Sequence, residues 1–92
     1  MTRDDILRVF RDYQKRLERW TPERCPASFG GTPGMGRQVK HARWMIDTMI
    51  TGMEAGDVSD DNASRWLGFV QGLLWASGLC TIEEMRGHNR TP

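Results

Sequence analysis

Apolar residues recur at helical spacing from the start of the chain. Ile6, Phe10, Tyr13, Leu17 and Trp20 lie four, three, four and three residues apart, a narrow seam flanked by Arg8, Arg11, Lys15, Arg16 and Arg19. The pattern predicts a helix over residues 3–20, with Thr2 as N-cap and Asp4 and Asp5 in the first turn, where the macrodipole favours anions. Asp12 and Glu18 interleave the cations, so the polar side reads as a solvated face rather than a nucleic-acid-binding one. Thr21-Pro22 stops the helix, because a residue before proline is pushed out of the α region.

Residues 21–36 hold three of the four prolines and four of the ten glycines, and are expected to form a loop. That is long for a compact domain, where connections usually run about four to six residues. Phe29 is the residue expected to pin it to the core. The helical period returns over 36–55, with Val39, Ala42, Ile46, Met49 and Met53 inward, Met45 and Ile50 widening the stripe, and Gly56 as the stop. A third helix over 60–77, capped by Ser59 or Asp60, carries Trp66, Leu67, Phe69, Val70, Leu73, Leu74 and Trp75 nearly all round. Such a helix is expected to be central and surrounded by protein. It opens the sixteen-residue uncharged run Leu67–Ile82, which is short and polar beside the roughly 17–25 apolar residues of a membrane span. Gly68, Gly72 and Ala76 make a smooth groove at spacings of four, expected to pack inside the fold. Gly78 ends the helix, and Thr81-Ile82-Glu83-Glu84 is a capping box that opens a short helix over 82–87, before a polar tail at 88–92. The expectation is a single all-α domain of three main helices plus a short C-terminal one.

Composition adds little to the fold and more to what it excludes. Ninety-two residues are near the lower limit for a self-sufficient core, which points to homo-oligomerisation as a second route to burial. The net charge of +1 hides an asymmetry: residues 1–43 carry ten Lys/Arg against five Asp/Glu, and residues 44–92 carry three against seven. Opposed halves can pair within or between molecules, and the acidic half disfavours binding along an extended nucleic acid. The charged N-terminus does not read as a signal peptide, so the chain is expected to be cytoplasmic. Cys25 and Cys80 fit no metal or redox spacing with His41 or His88 and are expected to be free thiols. No nucleophile–base pair is legible, and the expectation is a non-enzymatic protein without cofactor or metal.

The strongest candidate site joins the loop to the second helix. Gly30-Gly31-Thr32-Pro33-Gly34-Met35-Gly36 leads into Arg37, Lys40, His41, Arg43 and Trp44. Glycine-rich backbone at a helix N-terminus exposes N–H groups where an anion is favoured, and an aromatic ring nearby can stack a base. The run lacks P-loop spacing and has no strand before it. Arg86, His88, Asn89 and Arg90 form a second cluster in the tail, within reach of a neighbour's first cluster in an oligomer.

The run Arg65-Trp66-Leu67-Gly68-Phe69-Val70-Gln71-Gly72-Leu73-Leu74-Trp75, followed by Thr81-Ile82-Glu83-Glu84 and His88-Asn89-Arg90, resembles the C-terminal half of small helical proteins encoded by bacteriophages and prophages. The resemblance covers about residues 40–90. It implies an accessory protein in the cytoplasm of a bacterial host, of a kind that often acts in counter-defence. With the two clusters read above, two functions are expected: sequestration of an anionic, nucleotide-like ligand by Arg37, Lys40, His41, Arg43, Trp44, Arg86, His88 and Arg90, or inhibition of a host protein complex by direct binding.

Overall fold

A computed structural model describes residues 1–90. It contains α1 (Arg3–Arg16), α2 (Met35–Glu54), α3 (Asp60–Ala76) and α4 (Ile82–His88), with no strand among the described residues. The fold is all-α. Of the expected polar tail, residues 91 and 92 lie outside the described residues, and His88 belongs to α4.

Each helix boundary has a local cause. Thr2 and Asp5 exchange backbone-to-side-chain bonds in a capping box at α1, and Thr81 and Glu84 do the same at α4. The backbone N–H groups of Thr2 and Thr81 hold the Asp5 and Glu84 carboxyls below the usual carboxylate range. Gly56 and Gly78 take φ of +76° and +79° after α2 and α3, the left-handed conformation that closes a Schellman motif. Leu79 N–H accordingly reaches Leu74 O at 2.9 Å, and Asp57 N–H reaches Gly52 O at 2.9 Å.

α1 stops at Arg16, short of the expected residue 20. No glycine follows, and Pro22 cannot continue the ladder. The Arg43 guanidinium instead takes the Leu17 and Trp20 carbonyls at 3.0 and 3.1 Å, so residues 17–20 close as turns on α2. Arg3 plays the matching role at the other end of the bundle, donating to the carbonyls of Met53 and Val58.

The helix with the most buried side chains is α2, not α3. Val39, Ala42, Met45, Ile46, Met49, Ile50 and Met53 are buried, against Ile6, Val9, Phe10 and Tyr13 from α1 and Ala63, Leu67, Val70 and Leu74 from α3. The expectation that α3 is surrounded by protein fails on one face. Phe69 and Trp75 are 57% and 56% exposed, and Trp66 is only partly buried. Gly68, Gly72 and Ala76 are exposed too, and a Cβ on either glycine would meet nothing within 4 Å. Among the described residues the small-residue groove is therefore empty. Gly52 shows the opposite: a Cβ there would meet Val58 Cγ2 at 2.6 Å, so the α2–α3 connection closes against it.

The opposed charges of the two halves meet inside the molecule. Arg3 reaches Asp60 at 3.4 Å, Arg11 reaches Glu54 at 2.9 Å and Arg16 reaches Glu84 at 3.9 Å. Exposed pairs of this kind are each worth about 0–1 kcal/mol, so they orient α1 against α2–α4 more than they hold it.

A polar seam ties α1, α3 and α4 together. Gln71 Nε2 donates to the Tyr13 hydroxyl at 2.9 Å, which leaves that hydroxyl's own proton for His88 Nδ1 at 2.7 Å. Gln71 and Asn89 pair through both amides at 2.8 and 3.2 Å. Burial pushes Tyr13 up to about 12, so it remains a donor. His88 is held below 6.5, by burial first and then by Arg16, against the opposing pull of Glu84 and Asp12. Protonated Nδ1–H would face the tyrosine hydroxyl as a second donor. A histidine with a depressed folded-state pKa stabilises fully above its unfolded value, near 6.5, and loses that contribution as pH falls through the folded value. His41 shifts in the same direction. Chemical denaturation should therefore give a lower unfolding free energy at about pH 5 than at about pH 7.5, and His88→Gln should flatten that dependence.

Candidate functional site

The long loop is strapped to the outer side of α2 by its own hydrogen bonds. Glu23 N–H donates to Lys40 O at 3.1 Å, Cys25 N–H to His41 Nδ1 at 2.9 Å, and Gln38 Nε2 to Pro33 O at 2.9 Å. Held this way, the loop does not collapse onto the core. It leaves a cleft of about 690 Å³ between residues 24–33, the N-terminal half of α2 and the outer side of α3.

Aromatic rings dominate the cleft wall. Trp44 from α2 and Trp66 from α3 lie 6.1 Å apart between ring centroids, tilted by 38°, and Phe29 and Phe69 line it as well. Phe29 is 41% exposed, so it does not pin the loop to the core as expected; the Arg37 guanidinium lies 4.8 Å from its ring centre. His41 stacks on Trp44 at 5.5 Å, and Arg24 lies 5.0 Å from the same ring centre. Trp44 is thus already covered by its neighbours, Phe29 carries Arg37 over its ring, and the open ring is Phe69.

The electrostatics of the cleft are one-sided. Arg24 and Arg65 line it, neither has an ion-pair partner among the described residues, and no Asp or Glu lines it. Burial, reinforced by the Arg24 charge, holds His41 below its usual value. Its Nδ1 accepts from a backbone N–H, so the neutral ring carries its proton on Nε2. Gln38 adds an unusual atom: its Oε1 is buried without a hydrogen-bond partner. The N-terminus of α2 is capped by Gly34 without a side-chain acceptor and has no acid in its first turn, which leaves its positive end uncompensated.

Of the residues singled out in the sequence, the structure brings His41 and Trp44 to the cleft and sets Arg37 against Phe29 at its edge. Lys40 faces Glu23 at 3.9 Å and lies outside the lining. Arg43 is turned away: its side chain is 17% exposed, bound to Asp47 at 3.0 Å and to the end of α1. Arg86, His88 and Arg90 are not at the cleft. His88 is in the Tyr13 seam, the Arg90 carbonyl accepts from Arg8 at 3.4 Å, and Arg86 is exposed. Sequence reasoning missed Arg24, Arg65, Trp66 and Phe69. The last two read as core because a helix rich in large apolar residues looks the same whether buried or bordering a cleft.

Cys25 and Cys80 are both free thiols, and burial pushes Cys80 up. Among the described residues, no cluster of His, Cys, Asp or Glu could hold a metal ion, and no helix is long and apolar enough to cross a membrane. No protein-family model matches the chain, and no curated protein or solved structure matches it.

The division between Arg43 and Arg24 is measurable by denaturation. Arg43→Ala should lose about 1–3 kcal/mol, because buried carbonyls at the end of α1 lose their donors. Arg24→Ala should stay within about 0.5 kcal/mol, as exposed substitutions usually do.

Proposed function

We propose that this chain is a non-catalytic binding protein that sequesters a small, planar, anionic ligand of nucleotide type in the cleft between its long loop, α2 and α3. The observation that carries the reading is the pair of arginines, Arg24 and Arg65, unpaired beside exposed aromatic rings in a cleft without a single carboxylate. Of the other arginines, Arg3, Arg8, Arg11, Arg16 and Arg43 meet acids, while Arg19, Arg37, Arg86 and Arg90, outside the cleft lining, have no ion pair among the described residues. A guanidinium binds phosphate oxygens two at a time, and a phenyl ring stacks any base. The uncompensated start of α2, close to Arg37, favours the same sign of charge. Together with the resemblance to small phage-encoded proteins, this supports a counter-defence role in a bacterial host cytoplasm, by withdrawal of a nucleotide signal.

Titration calorimetry and thermal denaturation against mono-, di- and cyclic nucleotides test this. A bound ligand at a hundred times its dissociation constant should add about 2.7 kcal/mol of stability. Arg24→Glu and Arg65→Glu should abolish binding while changing stability by no more than about 0.5 kcal/mol. Arg37→Glu and Lys40→Glu should weaken it less, since both lie outside the lining. Phe69→Ala reports on stacking more cleanly than Trp44→Ala, because Trp44 also packs against the core. Absence of binding to every nucleotide would overturn the reading, and recovery of a stoichiometric host protein with the chain would favour the protein-inhibitor alternative.

A further inference from the structure

The bare face of α3 has a shape that matches itself. Phe69 and Trp75 stand more than half exposed on either side of the row Ser64, Gly68, Gly72 and Ala76, all of them exposed. Leu79, 42% exposed, continues the apolar surface just beyond the helix. Among the described residues nothing packs here: a Cβ at either glycine would meet no heavy atom within 4 Å. Such a surface on a small protein marks an interaction site.

We infer that this face binds a second copy of the chain, α3 against α3, antiparallel, with the two-fold axis between Gly68 and Gly72. Residues four apart form a ridge inclined by about 26° to a helix axis, so two such rows superpose when the helices cross at about −50°. In that register Gly68 faces Gly72 of the other copy and Ser64 faces Ala76. A row of residues with almost no side chain lets the two backbones approach, which brings the flanking side chains into reach. Two-fold symmetry requires that each flank meet its own counterpart. On one flank, Arg65 of each copy meets Phe69 of the other: an unpaired guanidinium against an uncovered ring, the contact Arg24 and Arg37 already make with Trp44 and Phe29 within the chain. On the other flank, by the same spacing, Trp75 of each copy meets Gln71 of the other. This reciprocity selects a second copy as the occupant, because both halves of each contact lie on the same helix.

The pairing also bears on the cleft. Arg65 and Phe69 are its wall on the α3 side, so both clefts open towards the same flank of the dimer and each is bordered by residues of the other copy. Because Arg65 and Phe69 also line the cleft, the dimer is tested at Ser64, Gly72 and Ala76, which do not, and so its test stands apart from that of nucleotide binding.

Light scattering and sedimentation of the full chain from micromolar to millimolar concentration should show a monomer–dimer equilibrium. Gly72→Glu should shift it to monomer, while at a concentration low enough for both chains to be monomeric its circular dichroism matches that of the parent chain and its melting temperature is at least as high, since the position is exposed and glutamate is a better helix former than glycine. In a Cys25→Ser background, the double variant Ser64→Cys/Ala76→Cys should form a disulfide-linked dimer under mild oxidation, and each single cysteine variant should not, because like positions are about 18 Å apart along the helix in this register. A monomer across the whole concentration range, a dimer unaffected by Gly72→Glu, or efficient crosslinking by Ser64→Cys alone would each overturn the proposal.

Discussion

α2 has apolar residues on two sides, and the rest of the molecule follows from having to cover both. Ile46, Met49 and Met53 repeat at the spacing of one seam, while Met45 and Ile50 broaden it past what a single partner helix can cover. Two neighbours are therefore needed. α1 brings a narrow stripe of Ile6, Phe10 and Tyr13, and α3 brings Ala63, Leu67, Val70 and Leu74. Among the described residues no further helix lies over α3 or over the N-terminal half of α2. The cleft and the bare face of α3 lie where that cover is missing.

The polar residues decide which way each exposed part settles. Arg43 and Arg3 take the carbonyls that helix ends and turns leave unsatisfied, and their side chains lock α1 to both ends of α2. The long loop, lacking regular structure, satisfies its backbone along α2 through Lys40 O and His41 Nδ1 instead. The loop therefore runs beside α2 rather than over it, and Trp44, Trp66 and Phe69 keep a common open space.

The parts of the fold that are local in origin were legible from the sequence, and the parts set by tertiary competition were not. Thr81 to Glu84 specifies its capping box through neighbours three residues apart, and Gly56 and Gly78 stop their helices through their own φ. The end of α1 depends on Arg43, 26 residues from Leu17, and periodicity runs on to Trp20 regardless. The exposure of Phe69 and Trp75 was invisible for a similar reason: hydrophobicity around a helix says how much could be buried, not how many neighbours are available to bury it. At the cleft, the basic cluster after the glycines includes two lining residues, His41 and Trp44, which lie three apart on one helix. Arg24 and Arg65 come from a loop and a different helix, and nothing in their spacing joins them.

Arg43 and Arg65 show why residue type alone cannot separate cations that are satisfied within the fold from those that are left free. Both sit on helices beside aromatic neighbours, and both look equally basic in the sequence. Arg43 has Asp47 one turn away, and its guanidinium meets that carboxylate and two carbonyls in a site that is mostly buried. Its charge is fully used. Arg65 has Asp61 one turn before it, yet the two form no ion pair, and its side chain borders a cleft that contains no acid. A cation left without an anion, next to a ring left without cover, keeps its binding capacity for something outside the chain. That contrast, rather than the count of basic residues, is what directs the proposed binding to the α3 side of the cleft.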